Sequence, residues 1–187
     1  MYIDYYKPFS EEFIQKNQNE IDWIKFSRYQ KLSEEFIRNN KDEISWEKIS
    51  EFQKLSEDFI REFQDKVNWN YISIYQKLSE DFIREFQNKI DWSYISYFQK
   101  LSEEFIREFK DKVNWYNISF KQKLNKRFII KFQDKIIWEF LLKKYGYKSE
   151  FFENKYQIKS DNYISNLLDF SELINLTLRL ISLKAFQ

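Results

Sequence analysis

The 187-residue chain contains no histidine and no cysteine, and it has a single glycine and a single proline. Without imidazole or thiol it lacks the commonest general acid–base, the sulfur nucleophile and the usual zinc and iron–sulfur ligands. No disulfide framework is available, and a cytoplasmic location fits that composition best. One glycine cannot build a phosphate-cradling loop, which excludes nucleotide-binding fingerprints. So little turn-forming material implies helices joined by short, polar connections. Long hydrophobic runs are missing as well. Met1–Ser10 has no apolar stretch of the secretory type. Leu173–Phe186, the most apolar segment, is too short to span a bilayer and carries Arg179 and Lys184. A soluble chain with no membrane association is expected.

Aromatic residues and charge are abundant, at 21% and 33% of the chain. They are also periodic. Tryptophan stands at 23, 46, 69, 92, 115 and 138, always 23 residues apart, and Phe13, Phe36, Phe59, Phe82, Phe105 and Phe128 keep the same period. A fixed period of this length is the mark of a tandem-repeat architecture. The clearest unit runs from Leu55 to Leu78, with near copies starting at Leu32, Leu78 and Leu101 and a divergent, basic copy at Leu124. A worn seventh copy is marked by Phe151 and by Tyr163-Ile164-Ser165.

Each unit reads as two short helices. Helix A follows Ser56, an N-cap residue type, with Glu57 and Asp58 suited to the positive end of the helix dipole. Phe59, Ile60, Phe63 and Val67 then recur at helical spacing. Asn68 is a second N-cap type, replaced by Asp22, Ser45, Asp91 or Asn114 in other copies. Helix B places Trp69, Ile72, Ser73 and Gln76 on one face. A strand over 67–72 would require an apolar residue at 74, where the equivalents include Arg28 and Glu51, so two helices are preferred. Helices this short fall below the ~12–15 residues at which isolated helices become marginal, so the units must stack.

The expected fold is therefore all-α. It is a right- or left-handed α-solenoid of helix–turn–helix repeats, 23 residues per repeat, with a C-terminal capping segment. Residues 1–9 are read as an N-terminal cap, 10–147 as six repeats, 148–170 as a degenerate seventh and 171–187 as a capping helix. For the last, the alternation Leu176-Thr177-Leu178-Arg179-Leu180 leaves a strand as the competing reading.

The string Trp69…Ile72-Ser73…Gln76-Lys77-Leu78-Ser79-Glu80…Phe82-Ile83 resembles a W-x-x-I-S-x-x-Q-K-L-S-E-x-F-I repeat of uncharacterised tandem-repeat proteins from AT-rich bacteria, their phages and large viruses. The resemblance covers about residues 9–142. It implies a family but no activity.

Several side-chain groups invite a functional reading. Paired carboxylates such as Glu57–Asp58 and Glu103–Glu104 recur at helix starts, where dipole compensation accounts for them better than catalysis. The six tryptophans could stack nucleobases, but their place beside Ile72 argues for the core. Ser73 and Gln76, polar on that same face, are expected to hydrogen-bond between units and fix the stacking.

More telling are the positions that vary, residues 70, 71 and 74 of helix B and their equivalents. In the middle units they become aromatic or apolar, giving Tyr71, Ile74, Tyr94, Tyr97, Tyr116 and Phe120 as a candidate partner-binding stripe. Charge is also uneven, at +7 over residues 121–160 against −5 over 1–120. Lys121, Lys123, Lys126, Arg127, Lys131, Lys135, Lys143, Lys144 and Lys148 form an alternative basic patch.

The function expected from these features is non-enzymatic binding of a partner, in the first instance another protein, through the variable helix B face. The viral flavour of the repeat extends this to a phage or mobile-element inhibitor of a host defence protein. The alternative is nucleic-acid binding, or inhibition of a nucleic-acid-guided nuclease in the anti-CRISPR manner, through residues 121–148. No metal or cofactor is expected, and self-association is compatible with the charge asymmetry.

Overall fold

The structure is a computed structural model that describes residues 3–145. The proposed seventh copy at 148–170, the capping segment at 171–187 and Lys148 lie outside the described residues. The chain divides into two compact bodies, residues 1–137 and 138–187. Twelve helices and no strand occur among the described residues.

In the first body they alternate strictly. The A helices have six residues each: α1 (Glu11–Lys16), α3 (Glu34–Asn39), α5 (Glu57–Glu62), α7 (Glu80–Glu85), α9 (Glu103–Glu108) and α11 (Lys126–Lys131). The B helices have seven: α2 (Trp23–Tyr29), α4 (Trp46–Phe52), α6 (Trp69–Tyr75), α8 (Trp92–Phe98) and α10 (Trp115–Lys121). In the second body the described helix is α12 (Trp138–Tyr145). Each helix B packs on the helix B of the next unit, α2 on α4, α4 on α6, α6 on α8 and α8 on α10. This is the helical-repeat solenoid that the 23-residue period implies.

Helix boundaries follow local chemistry. Ser56 lies in extended conformation and its hydroxyl accepts the Phe59 amide at 3.2 Å. Asn68 accepts the amides of Asn70 and Tyr71 at 3.1 and 3.2 Å. Both caps satisfy amide donors that the first helical turn leaves without partners. Between the helices the Phe63 carbonyl accepts the amides of Lys66 and Val67, making a tight turn without glycine. Helix B stops because Gln76, with φ −90° and ψ 146°, leaves the helical region.

The core repeats as faithfully as the sequence. Phe59, Ile60, Ile72, Phe82, Ile83, Ile95, Phe105 and Ile106 are all at most 1% exposed. Tryptophan departs from the expected full burial: every ring in the first body is half-buried. The Trp69 ring reaches forward to the next helix A, stacking on Phe82 and lying 4.9 Å from Phe86. Its indole N–H donates to the Gln64 carbonyl at 2.9 Å.

Ser73 and Gln76 join the units as the pattern implied. The Ser73 hydroxyl donates to the Trp69 carbonyl at 2.7 Å and accepts the Asp91 amide of the next unit at 3.2 Å. Gln76 is buried, and its Nε2 donates back to the carbonyls of Ser50 and Gln53 at 3.2 and 2.8 Å. Its Oε1 accepts the Leu55 amide at 3.0 Å. Gln53, Gln99 and Gln122 repeat this arrangement. At the N-terminal end the same groups are served differently. Gln30 donates to the carbonyls of Tyr5 and Lys7 and accepts the Phe9 amide, while the Tyr5 hydroxyl accepts the Asp22 amide at 2.6 Å. Residues 5–9 thus reproduce the end of a preceding unit.

Helix A carries a second, charged seam. Arg38 pairs with Glu62, Arg61 with Glu85 and Arg84 with Glu108, each across one unit boundary at 2.7–2.9 Å. Lys66, Lys89 and Lys135 pair with Asp42, Asp65 and Asp111 in the turns that follow. Exposed pairs of this kind contribute little singly, so the apolar and amide layers hold the stack.

Candidate macromolecule-binding face

The helix A side carries the charged seam that joins the units. The C-terminal ends of the B helices differ from it in carrying exposed aromatic rings. There the last helical residue is Tyr29, Phe52, Tyr75 and Phe98 in successive units, with Tyr6 one period earlier. All five are exposed: 80% for Tyr6, then 39, 43, 55 and 49%. They form a ladder with one aromatic rung per unit, which ends in Lys121.

At two places the residue preceding a rung reaches toward the next unit. The Arg28 guanidinium lies 5.1 Å from the Tyr29 ring centre and 4.9 Å from that of Phe52. Further along, Tyr97 lies 4.7 Å from Phe98, while Lys121 of the next unit sits 4.2 Å over the Tyr97 ring. At the N-terminal end Tyr6 and Tyr29 meet directly, with ring centres 4.9 Å apart. The Tyr29 hydroxyl beside it raises the Tyr6 phenol above its ordinary value of 10.0.

The variable stripe legible in the sequence supports this ladder from one side. Tyr71 and Tyr94 are half-buried, 6.0 Å from Tyr75 and 6.3 Å from Phe98. Ile74 and Tyr97 are half-buried too. Only Tyr116 and Phe120 of that stripe are exposed, at 58 and 43%, and Phe120 stacks on Tyr97 at 6.2 Å. The exposed face of helix B also keeps the first of the variable positions, at Ile24, Glu47, Asn70, Ser93 and Tyr116, and takes in the rung position, which the sequence reading missed. Its signal was available: Tyr6, Tyr29, Phe52, Tyr75 and Phe98 share the tryptophan period.

A lysine stands two residues after each rung on the B helices, as Lys31, Lys54, Lys77 and Lys100, and Lys123 keeps the same place after Lys121, while Pro8 takes it after Tyr6. All five lysines are exposed, and among the described residues none has a hydrogen bond, ion pair or ring contact with another. Between the first two complete rungs, a depression of about 470 Å³ is lined by Arg28, Tyr29, Lys31, Phe52 and Lys54 among others. The nearest carboxylates on these helices, Glu47 and Glu51, are held by Lys48 at 3.1 and 3.0 Å. Aromatic faces and free cations thus share one surface.

The residues of the basic patch read from the sequence belong to several different elements. Lys121 and Lys123 belong to the ladder side, whereas Lys126, Arg127 and Lys131 belong to α11 and are exposed. Lys135 is engaged, 3.6 Å from Asp111 and over the Trp115 ring at 6.0 Å. Lys143 is exposed on α12 of the second body, and the side chain of Lys144 lies outside what is described. Four of the tryptophan rings are not open for stacking either. Lys66, Lys89, Lys112 and Lys135 lie over Trp46, Trp69, Trp92 and Trp115 at 5.8–6.0 Å. Among the described residues no group of three or more acidic side chains is placed to hold a metal ion, and no helix is long and apolar enough to cross a membrane.

No protein-family model, curated protein or solved structure matches this chain. The reading of the face rests on its own chemistry.

Proposed function

We propose that this protein is a non-catalytic helical-repeat scaffold that holds an elongated macromolecular partner along the outer ends of its B helices. The observation that carries this reading is the exposed, evenly repeated ladder Tyr29, Phe52, Tyr75 and Phe98. A fold that needs only its buried layers to stack has no structural use for an aromatic ring in solvent in four successive units. Exposed aromatic surface of this kind is characteristic of interaction sites. Repetition suits the fold as well, because a stack of identical units presents identical contacts along one line.

Affinity capture from the native host separates this reading from its rivals. Wild type, a Y29S/F52S/Y75S/F98S variant and a helix A variant, D58S/D81S, serve as the three baits. The partner should be retained by wild type and by the helix A variant, and lost from the ladder variant at an unchanged melting temperature. Equal retention on all three would contradict the proposal.

A further inference from the structure

The ladder also carries information about the chemistry of its occupant. Neighbouring positions have diverged freely between units. The residue before each rung is Arg28, Glu51, Ile74, Tyr97 or Phe120, and the residue five before is Ile24, Glu47, Asn70, Ser93 or Tyr116. The rung itself alternates between tyrosine and phenylalanine. What persists is the ring, while the hydroxyl comes and goes. Stacking uses the ring alone, whereas a hydrogen-bonded or shape-matched contact would distinguish the two residues. The second persistent feature is the lysine two residues on, present after all four rungs of the B helices and again at Lys123, beyond the last ring. Burial does not require it, and among the described residues no carboxylate pairs with it, in contrast with Lys66, Lys89 and Lys135 on the other side.

From these observations we infer that the occupant is a single-stranded nucleic acid, its bases stacked on the aromatic rungs and its phosphates beside the unpaired loop lysines. The inference rests on the scaffold reading above and names its ligand class. One π-face and one cation per unit are the two elements by which single strands are held without regard to sequence. The depression between Tyr29 and Phe52 joins both, with Arg28 lying over each ring and Lys31 and Lys54 at its edge. Those two arginine contacts set an upper limit of about 10 Å on the separation of the rings. A strand with a stacked rise of ~3.4 Å per nucleotide covers that step in roughly three nucleotides or fewer. A peptide of acidic character is the competing occupant. It would need matched pockets or free backbone groups along the face, and the carbonyls of Ser50, Gln53, Ser73 and Gln76 are already engaged by the buried glutamines. The variable flanking positions offer no common hydrogen-bonding set, so little base preference is expected.

The test is fluorescence anisotropy with labelled 20-nucleotide oligo(U) and oligo(dT), alongside a 20-base-pair mixed-sequence duplex. The full chain is compared with Y29S/F52S/Y75S/F98S and with K31Q/K54Q/K77Q/K100Q, whose exposed sites leave folding untouched. Both single strands should bind more tightly than the duplex. The ladder variant should lose at least about tenfold in affinity. In the lysine variant the slope of log affinity against log salt should fall by about 3, at ~0.7 per phosphate contact for single strands. Preference for oligo(U) over oligo(dT) would identify RNA as the source, and equal binding a strand of either sugar. No binding of single strands, binding unchanged in both variants, or loss only in a K126E/R127E/K131E variant would overturn the inference. A partner that survives nuclease treatment and is still lost from the ladder variant in the capture experiment would overturn it while leaving the scaffold reading intact. Failure of both experiments would remove the two together.

Discussion

The Gln76 side-chain amide donates to the backbone carbonyl of Gln53, its counterpart one unit earlier, at 2.8 Å. Gln53 does the same to Gln30, and Gln99 to Gln76. A continuous chain of buried amides therefore runs through the first body, linking each unit to the one before it.

Replacing Gln76 by leucine should remove this link in one unit. The Leu55 amide and the carbonyls of Ser50 and Gln53 would be left buried without partners. At about 1–3 kcal/mol for each orphaned group, and allowing for relaxation, the loss should be roughly 3–5 kcal/mol. Urea denaturation checks this. Glutamate at the same site should be no better, because a carboxylate would face two carbonyl oxygens.

Trp69→Ala should cost about 2–4 kcal/mol, at or below the usual range for a buried aromatic. The ring is half-buried, but it covers Phe82 and Phe86 and anchors its N–H on Gln64. Thermal denaturation followed by circular dichroism measures the loss. A change under about 1 kcal/mol would show that the stacking on the next helix A is dispensable.

Much of this was legible from the residues. Ser56 and Asn68 announced both caps, because a short oxygen-bearing side chain before an apolar run is what a helix start needs. A serine and a glutamine repeated on an apolar face announced buried hydrogen bonds. The period of the ladder was visible in the sequence, but its exposure was not legible, for a local reason. On an uninterrupted helix, Tyr75 lies three residues after the buried Ile72 and falls on the core side. Helix α6 instead ends at Tyr75, and Gln76 turns inward in extended conformation. No further turn covers the last ring, which is left in solvent. Tryptophan was misjudged for a related reason: its ring begins helix B and extends forward to the next helix A, so one edge stays at the surface.

Acid should weaken the helix A seam. The Arg38 guanidinium holds the Glu62 carboxyl below its ordinary value of 4.5. A carboxyl depressed on folding stabilises fully above its unfolded value, and that contribution disappears as pH falls through the folded one. The melting temperature should therefore decline as pH drops below 4.5 and beyond. E62Q should show a smaller decline over the same window. Equal acid profiles for the two proteins would show that this pair does not contribute.

Removing one whole unit, residues 56–78, should leave a folded and shorter array. Each unit meets its neighbours through the same serine, glutamine and tryptophan contacts, so the new junction reproduces the old one. Circular dichroism should show an unchanged helical signal per residue and a cooperative melt at lower temperature. An insoluble or non-cooperative product would show that the units are not interchangeable.

The central claim is that the ends of the B helices, and not helix A, meet the partner. Site-specific photocrosslinking tests it most directly. A benzophenone amino acid is placed at position 75 in one protein and at position 58, where Asp58 is 95% exposed on helix A, in another. The excited ketone inserts into C–H bonds of protein and sugar alike, so it reports on either class of partner. Irradiation in the native host should give a discrete crosslinked species from position 75 and none from position 58. The reverse pattern, or equal yields at both, would contradict the account.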